Sequence, residues 1–435
     1  MTTFTLSESV GDGGENRPED VRALKEHLVD LGFDWLTVDG EVDEALKRVV
    51  NLVQSMKAGR DVLHGDGRVD VPSPPDEIWT YDWLRAANAP RWQIMPEGEA
   101  ASGFVNFERA DASDNHDFGA GWMAETIRGA GVWYRDQYLA DHPDAALLTI
   151  NDVSVPQGGD TPDHAGHETG LACDIRLPRT DGTAPGATTH EHDEYDQDAM
   201  RAMLRAIRAQ PRVTRILFND PDLSAEGLGQ RSPGHADHAH FEIAPLLPIL
   251  DYDEELDSLL QRAVREFGGT VVDPEDYPMT ETGFQEYLED TGIDHFTADE
   301  MLTPHHEGVA EGLGYTLFLP PHAWWRRGAA LALLSDELRS LVGEAVVMRN
   351  WWRPRPYNAH PTVGGAEESD HVTATGVDLD YRSADSRRAA ERRLRRLYEG
   401  EEWLQLSLGL GNRTTHVGLL SPGRRREWTY DSYVP

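Results

Sequence analysis

His167 and Asp174 stand seven positions apart, across the glycine turn at Gly170, and the aspartate falls inside an apolar run, Leu171 to Ile175. Further along comes Gly234-His235-Ala236-Asp237-His238-Ala239-His240-Phe241-Glu242-Ile243. In extended chain, alternate side chains share a face. Ala172 and Asp174 then point one way, and Leu171, Cys173 and Ile175 point into a core. His238, His240 and Glu242 share one face of the second segment, and Ala239, Phe241 and Ile243 share the other. Few folds satisfy both patterns. As two adjacent strands, the segments can bring His167, Asp174 and His240 to one point, with Gly170 permitting a tight approach between His167 and the strand. Two imidazoles and a carboxylate are the ligand set of a catalytic zinc site, which leaves a fourth position to water.

The neighbours of these three residues suit the same chemistry. His238, on the side of the strand that carries His240, is the first candidate to carry a proton between water and a leaving amine, and His235 is the second. His164 can orient a ligand or substrate from behind. Arg176, on the face of Asp174, is a candidate partner for a substrate carboxylate. The same interval recurs from His371 to Asp378, followed by His416 in Arg413-Thr414-Thr415-His416. This internal echo marks a candidate second metal site. The single Cys173 excludes an intrachain disulfide and any multi-cysteine metal centre, and its place in the run reads as a small core hydrophobe.

A chain of 435 residues implies two or three domains. Its formal charge of −37 argues against nucleic acid or anionic membrane as partner. The basic residues are arginines apart from Lys25, Lys47 and Lys57, and the acids are dispersed, a pattern that suits a high-salt or simply well-solvated surface. No apolar run approaches the ~20 residues that span a bilayer. Met1 to Ser7 lacks the basic and apolar regions of a secretory signal, so release by lysis or a non-standard export route is expected.

In order, residues 1–70 read as a helical unit. Pro18 suits a first turn, Val21, Leu24, Leu28 and Leu31 share a face, and Gly32 ends the helix. Val42, Leu46, Val49, Val53 and Met56 form a second helical stripe. Pro72 to Pro75 read as a stiff linker. Residues 76–250 are mixed, with a helix over 121–139 and strands at 147–150 and 215–218. Residues 251–292 read as an acidic, largely helical connector, and 293–435 as a further domain.

The pattern His167-x-x-Gly170-x-Ala172-x-Asp174 with His238-x-His240 resembles the LAS metallopeptidases, which join D-Ala-D-Ala carboxypeptidases and related cell-wall enzymes. Gly166 to Leu171, His235-x-x-His238-x-His240, Asp152-Val153-Ser154 and Gly158-Gly159 are similar to its penicillin-insensitive murein endopeptidase branch. Tyr357-Asn358, Gly364-Gly365-Ala366 and Ser369-x-His371 resemble the carboxypeptidase branch, although Ala374 and Gly376 stand where that branch has Gly and Ala, and Arg413 and Thr414 stand where a base would precede His416. Ser9 to Val21 with the two helices resembles a peptidoglycan-binding domain. The resemblance implies an α+β fold with an N-terminal helical bundle and two metallopeptidase-like domains with antiparallel sheets. It also implies zinc at His167, Asp174 and His240, catalytic support from His235 and His238, and cleavage of D-amino-acid peptide bonds in peptidoglycan. The alternative is a non-catalytic wall-binding protein built from decayed peptidase domains.

Overall fold

The computed structural model describes residues 4–71, 79–86, 88–109, 115–161, 164–246, 258–349, 351–366, 369–400, 403, 406–421, 425–430 and 433. The proline linker at 72–75 lies outside them, as do residues 251–257 of the expected connector. The chain divides into two compact units, Met1–Ile207 with Arg212–Asp251, and Arg208–Pro211 with Tyr252–Pro435.

The first unit begins with helix α1 (Pro18–Asp30), whose proline sits at the first turn, where its missing N–H costs nothing. Val21, Leu24 and Leu28 are fully buried on one face. Helix α2 (Glu44–Lys57) starts one residue after Asp43, whose carboxylate accepts the Leu46 N–H at 2.7 Å. This cap excludes Val42, which the apolar spacing had included in the helix, because the Asp43 side chain satisfies an N–H that has no partner inside the first turn. Residues 1–70 and 76–250, read as successive modules, share this one unit. Helix α3 (Gly121–Tyr134) buries Trp122, Ile127 and Tyr134, and a π turn at Arg135–Leu139 carries the helical stretch to its expected end.

The largest sheet of this unit contains β1 (Gly98–Glu99), β2 (Phe104–Asn106), β3 (Leu148–Ile150), β4 (Ala172–Arg176), β5 (Val213–Leu217) and β6 (His238–Ile243), in the spatial order β1-β2-β3-β4-β6-β5. β4 and β6 are antiparallel neighbours, with His240 opposite Asp174 and His238 opposite Arg176. Ala239, Phe241 and Ile243 enter the core, as the alternation requires, and Cys173 is fully buried.

In the second unit, helix α4 (Ser258–Phe267), within the expected connector, packs on the long helix α5 (His322–Val342) as part of the body of the unit. Arg393 of helix α6 (Ala384–Glu399) ties the three together, reaching Glu266 at 2.7 Å and Glu337 at 2.8 Å. The second sheet holds β7 (Val346–Arg349), β8 (Gly376–Tyr381), β9 (Ser407–Leu410), β10 (Thr414–Gly418) and β11 (Arg426–Thr429), in the order β7-β8-β10-β9-β11. The class is therefore α+β. Neither of these two larger sheets is wholly antiparallel, because β2 with β3 and β9 with β11 pair in parallel. Among the described residues no helix is long and apolar enough to cross a membrane.

Candidate metal centre

Strand register assembles the first centre. His240 Nδ1 lies 2.9 Å from Asp174 Oδ1, and His167 Nε2 lies 3.2 Å from His240 Nδ1 and 3.5 Å from Asp174 Oδ1. Three ligand-type atoms so close, on side chains only 3%, 2% and 7% exposed for His167, Asp174 and His240, fit a single divalent ion. His167 Nδ1 donates to the Val153 carbonyl at 3.0 Å, which fixes the ring and leaves Nε2 to face the centre. His240 Nε2 faces Glu242 at 3.4 Å on the far side, and Glu242 is in turn paired with Arg215.

The electrostatics favour an ionised carboxylate. Burial works to raise the Asp174 carboxyl, but hydrogen bonds to His167 and His240 outweigh it and hold the group well below the usual carboxylate range. Burial likewise opposes charge on His240, yet Asp174 and Glu242 lift it to about 9. Below that pH an incoming ion must displace a proton from Nδ1. Affinity for a divalent ion is therefore expected to rise about tenfold per pH unit between pH 6.5 and 9, and to level off above, as one proton leaves per ion bound. Chelator competition across this window checks the slope; an affinity independent of pH would contradict it.

Around the ligands, His238 Nε2 lies 3.8 Å from Asp174 Oδ2 while its Nδ1 is held by Asp237 at 3.0 Å. His235 sits beside it, with ring centroids 5.0 Å apart, and its Nδ1 bonds the Pro233 carbonyl. Burial, then His238, pushes the His235 imidazole down, so it is neutral near pH 7. His164 spans two carboxylates, with Nε2 at 3.0 Å from Asp152 and Nδ1 at 3.9 Å from Asp174. Asp152 and His116, which complete this outer group, carry no role in the sequence reading. Arg176 differs from expectation. Its guanidinium bonds Asn151 at 2.7 Å and the Pro185 carbonyl at 3.0 Å, and lies 3.2 Å over the Phe107 ring, so it braces the scaffold. Gly170 also acts elsewhere than expected: its close approach is to Gly119 and Ala120, not to His167.

The second centre repeats the register. His416 lies opposite Asp378 on neighbouring strands, Nδ1 to Oδ1 2.9 Å, and His371 Nε2 lies 3.2 Å from Asp378 Oδ2. Two residues distinguish it. Asp370, buried and held by Ser407 and Arg426, accepts from His416 Nε2 at 3.0 Å and orients that ring. Arg353 places Nη2 2.6 Å from Asp378 Oδ2. Burial, then Arg353, pushes the His371 imidazole down. The departure at Gly376 has a physical reason. A Cβ at Gly376 would come within 2.6 Å of Asp370 Cβ and 2.9 Å of His416 Cε1, so glycine makes room for the orienting carboxylate. Asp380, two residues after Asp378 on the same strand, is engaged by Arg349 and Thr414.

A cleft of about 960 Å³ opens on this centre and is lined by His305, Arg349, Arg353, Arg413 and Arg426. Trp351 and Trp352, fully buried, anchor the segment that delivers Arg353. The Tyr357-Asn358 and Gly364-Gly365-Ala366 pattern is scaffold: Asn358 Nδ2 donates to the Ala366 carbonyl at 2.8 Å, and a Cβ at Gly365 would collide with the Asn358 amide. No protein-family model matches this chain, and no curated protein matches it.

Proposed function

We propose that this chain is a zinc-dependent peptidoglycan peptidase, hydrolysing D-amino-acid-containing stem-peptide or cross-link amides. In this reading a helical pair precedes two LAS-type metallopeptidase-like units, and the first unit carries the catalytic centre. The observation that carries it is the convergence of His167 Nε2, Asp174 Oδ1 and His240 Nδ1 within 3.5 Å of one another on a fixed strand register. A zinc ion held there would supply a bound water of lowered pKa, towards ~7, and would polarise the scissile carbonyl.

The chain's own residues do the rest. Asp237 holds His238 Nδ1, so Nε2 is the atom that takes a proton and returns it to the leaving amine. His235, kept neutral and adjacent, is the reserve carrier. Asp152, held below the usual carboxylate range mainly by His164 against the pull of burial, keeps that imidazole turned toward Asp174. Replacing His238 with alanine is expected to keep zinc bound while lowering turnover about 10²- to 10⁴-fold, the usual worth of a positioned proton carrier. Metal content measured beside rate checks this, and unchanged turnover would remove His238 from the mechanism.

For the C-terminal unit, the arginine-lined cleft favours a second reading, that it grips the carboxylates of wall peptide without cleaving. Mass spectrometry of muropeptides after digestion of purified murein, with and without chelator, tests the proposal as a whole. Chelator-sensitive release of defined fragments is expected; intact murein would leave wall binding as the function.

A further inference from the structure

The metal ligand His167 is one of the few non-glycine residues with left-handed backbone, φ 64. Such a conformation costs roughly 1–2 kcal/mol and persists only where the surroundings enforce it. The enforcing contacts come from far away in sequence, from the segment just after α2. Asp61 Oδ2 accepts the His167 N–H at 2.9 Å, across 106 residues. On either side the same segment binds the same loop. The Asp61 carbonyl accepts the Glu168 N–H at 3.1 Å, Glu168 Oε2 accepts the Leu63 N–H at 2.8 Å, and Thr169 Oγ1 donates to the Arg60 carbonyl at 2.7 Å. Arg48 of α2 adds a bond to the Gly158 carbonyl at 2.7 Å.

Asp61 also reaches the second imidazole ligand. A carboxylate oxygen of Asp61, a ring nitrogen of His240 and a carboxylate oxygen of Glu242 lie within 4.8 Å of one another. Asp61 Oδ1 is buried and makes no hydrogen bond among the described residues. A buried carboxylate oxygen without a donor is costly. His240 is the donor-type side chain beside it, and Glu242 shares that ring, facing its Nε2 at 3.4 Å. Gly166 completes the arrangement: a Cβ there would collide with Asp61 Oδ2, so glycine keeps the slot open.

We infer that Asp61 is a positioning residue for the metal centre, one carboxylate serving two ligands, fixing the main chain of His167 and facing the outer side of His240. The helical pair at the front is thereby a working part of the peptidase centre as well as any wall-binding element. This rests on the proposed zinc site at His167, Asp174 and His240, and the test separates the two.

Zinc affinity is measured by chelator competition on the full-length chain, in an Asp378→Ala background so that one centre loads. Asp61→Ala is expected to weaken binding 10- to 100-fold, the scale on which an outer partner of a ligand is felt. Asp61→Asn keeps an oxygen for the His167 N–H but turns an amide N–H toward His240, and is expected to recover only part of that loss, a partial rescue that a merely space-filling role would not give. Gly166→Ala displaces the carboxylate from the opposite side and is expected to reproduce the loss with the fold retained by circular dichroism. A folded Asp61→Ala or Gly166→Ala chain with parental affinity overturns the inference. A parental chain that binds no zinc overturns the proposed site instead.

Discussion

Replacing Asp174 with alanine is expected to abolish chelator-sensitive muropeptide cleavage, a loss on the order of 10⁴-fold or more, as when a member of a cooperating catalytic set is removed. Asp174 is the only anionic member of the first centre's ligand set, and it is 2% exposed. Both imidazoles turn toward its Oδ1, and His164 and His238 face its Oδ2 at 3.9 and 3.8 Å. Without it an ion would keep two neutral ligands, and His238, the proposed proton carrier, would lose the charge it faces. His167→Ala and His240→Ala are expected to fall equally far. The readout is fragment release together with zinc content. Cleavage that survives Asp174→Ala but vanishes in the Asp174→Ala/Asp378→Ala double would move the chemistry to the C-terminal centre. Cleavage that survives both would sink the metal assignment altogether.

The parts of this centre that the sequence announced are those fixed by short-range rules. Strand alternation put His238, His240 and Glu242 on one face and Phe241 and Ile243 in the core, and the His167–Asp174 interval set the third ligand beside them. The first two helices were legible from apolar spacing, with an error of two residues at Val42 because a side-chain cap at Asp43 overrides the pattern there. The outer ring of the centre was not legible. Asp61 meets His167 across 106 residues, and nothing local distinguishes it from any other acid in a chain with 77 of them. Asp370 stands next to a ligand in sequence, yet its role depends on space left by Gly376 and Gly418, where a Cβ would meet Asp370 atoms at 2.6 Å or closer. The setting of Arg176 was hidden for a related reason. Its face of the strand follows from alternation, but the bonds to Asn151 and Pro185 that immobilise it follow from tertiary packing. The parallel strand pairs are equally non-local, since each joins segments with no shared sequence signal.

Gly170→Ala is expected to destabilise the first unit by about 3 kcal/mol or more, and to weaken zinc binding with it. Two effects add at this position. Gly170 has φ +63, where an alanine costs roughly 1–2 kcal/mol. Its absent Cβ would also strike the main chain of Gly119 and come within 2.7 Å of the Ala120 nitrogen, while Ala120 N–H donates to the Gly170 carbonyl at 3.2 Å. Backbone cannot swing aside as a flexible side chain can, so the loop carrying His167 must move instead. The second unit shows which effect dominates. Ala374, four residues before Asp378 as Gly170 is before Asp174, holds φ 58 while fully buried, so left-handed backbone alone is tolerated there. For a unit of this size the melting temperature should fall by about 6–12 °C. A fall of only about 2–4 °C, the shift that the lower end of the conformational cost, ~1 kcal/mol, produces, would mean that conformational preference is the whole cost and that the Gly119–Gly170 contact is soft.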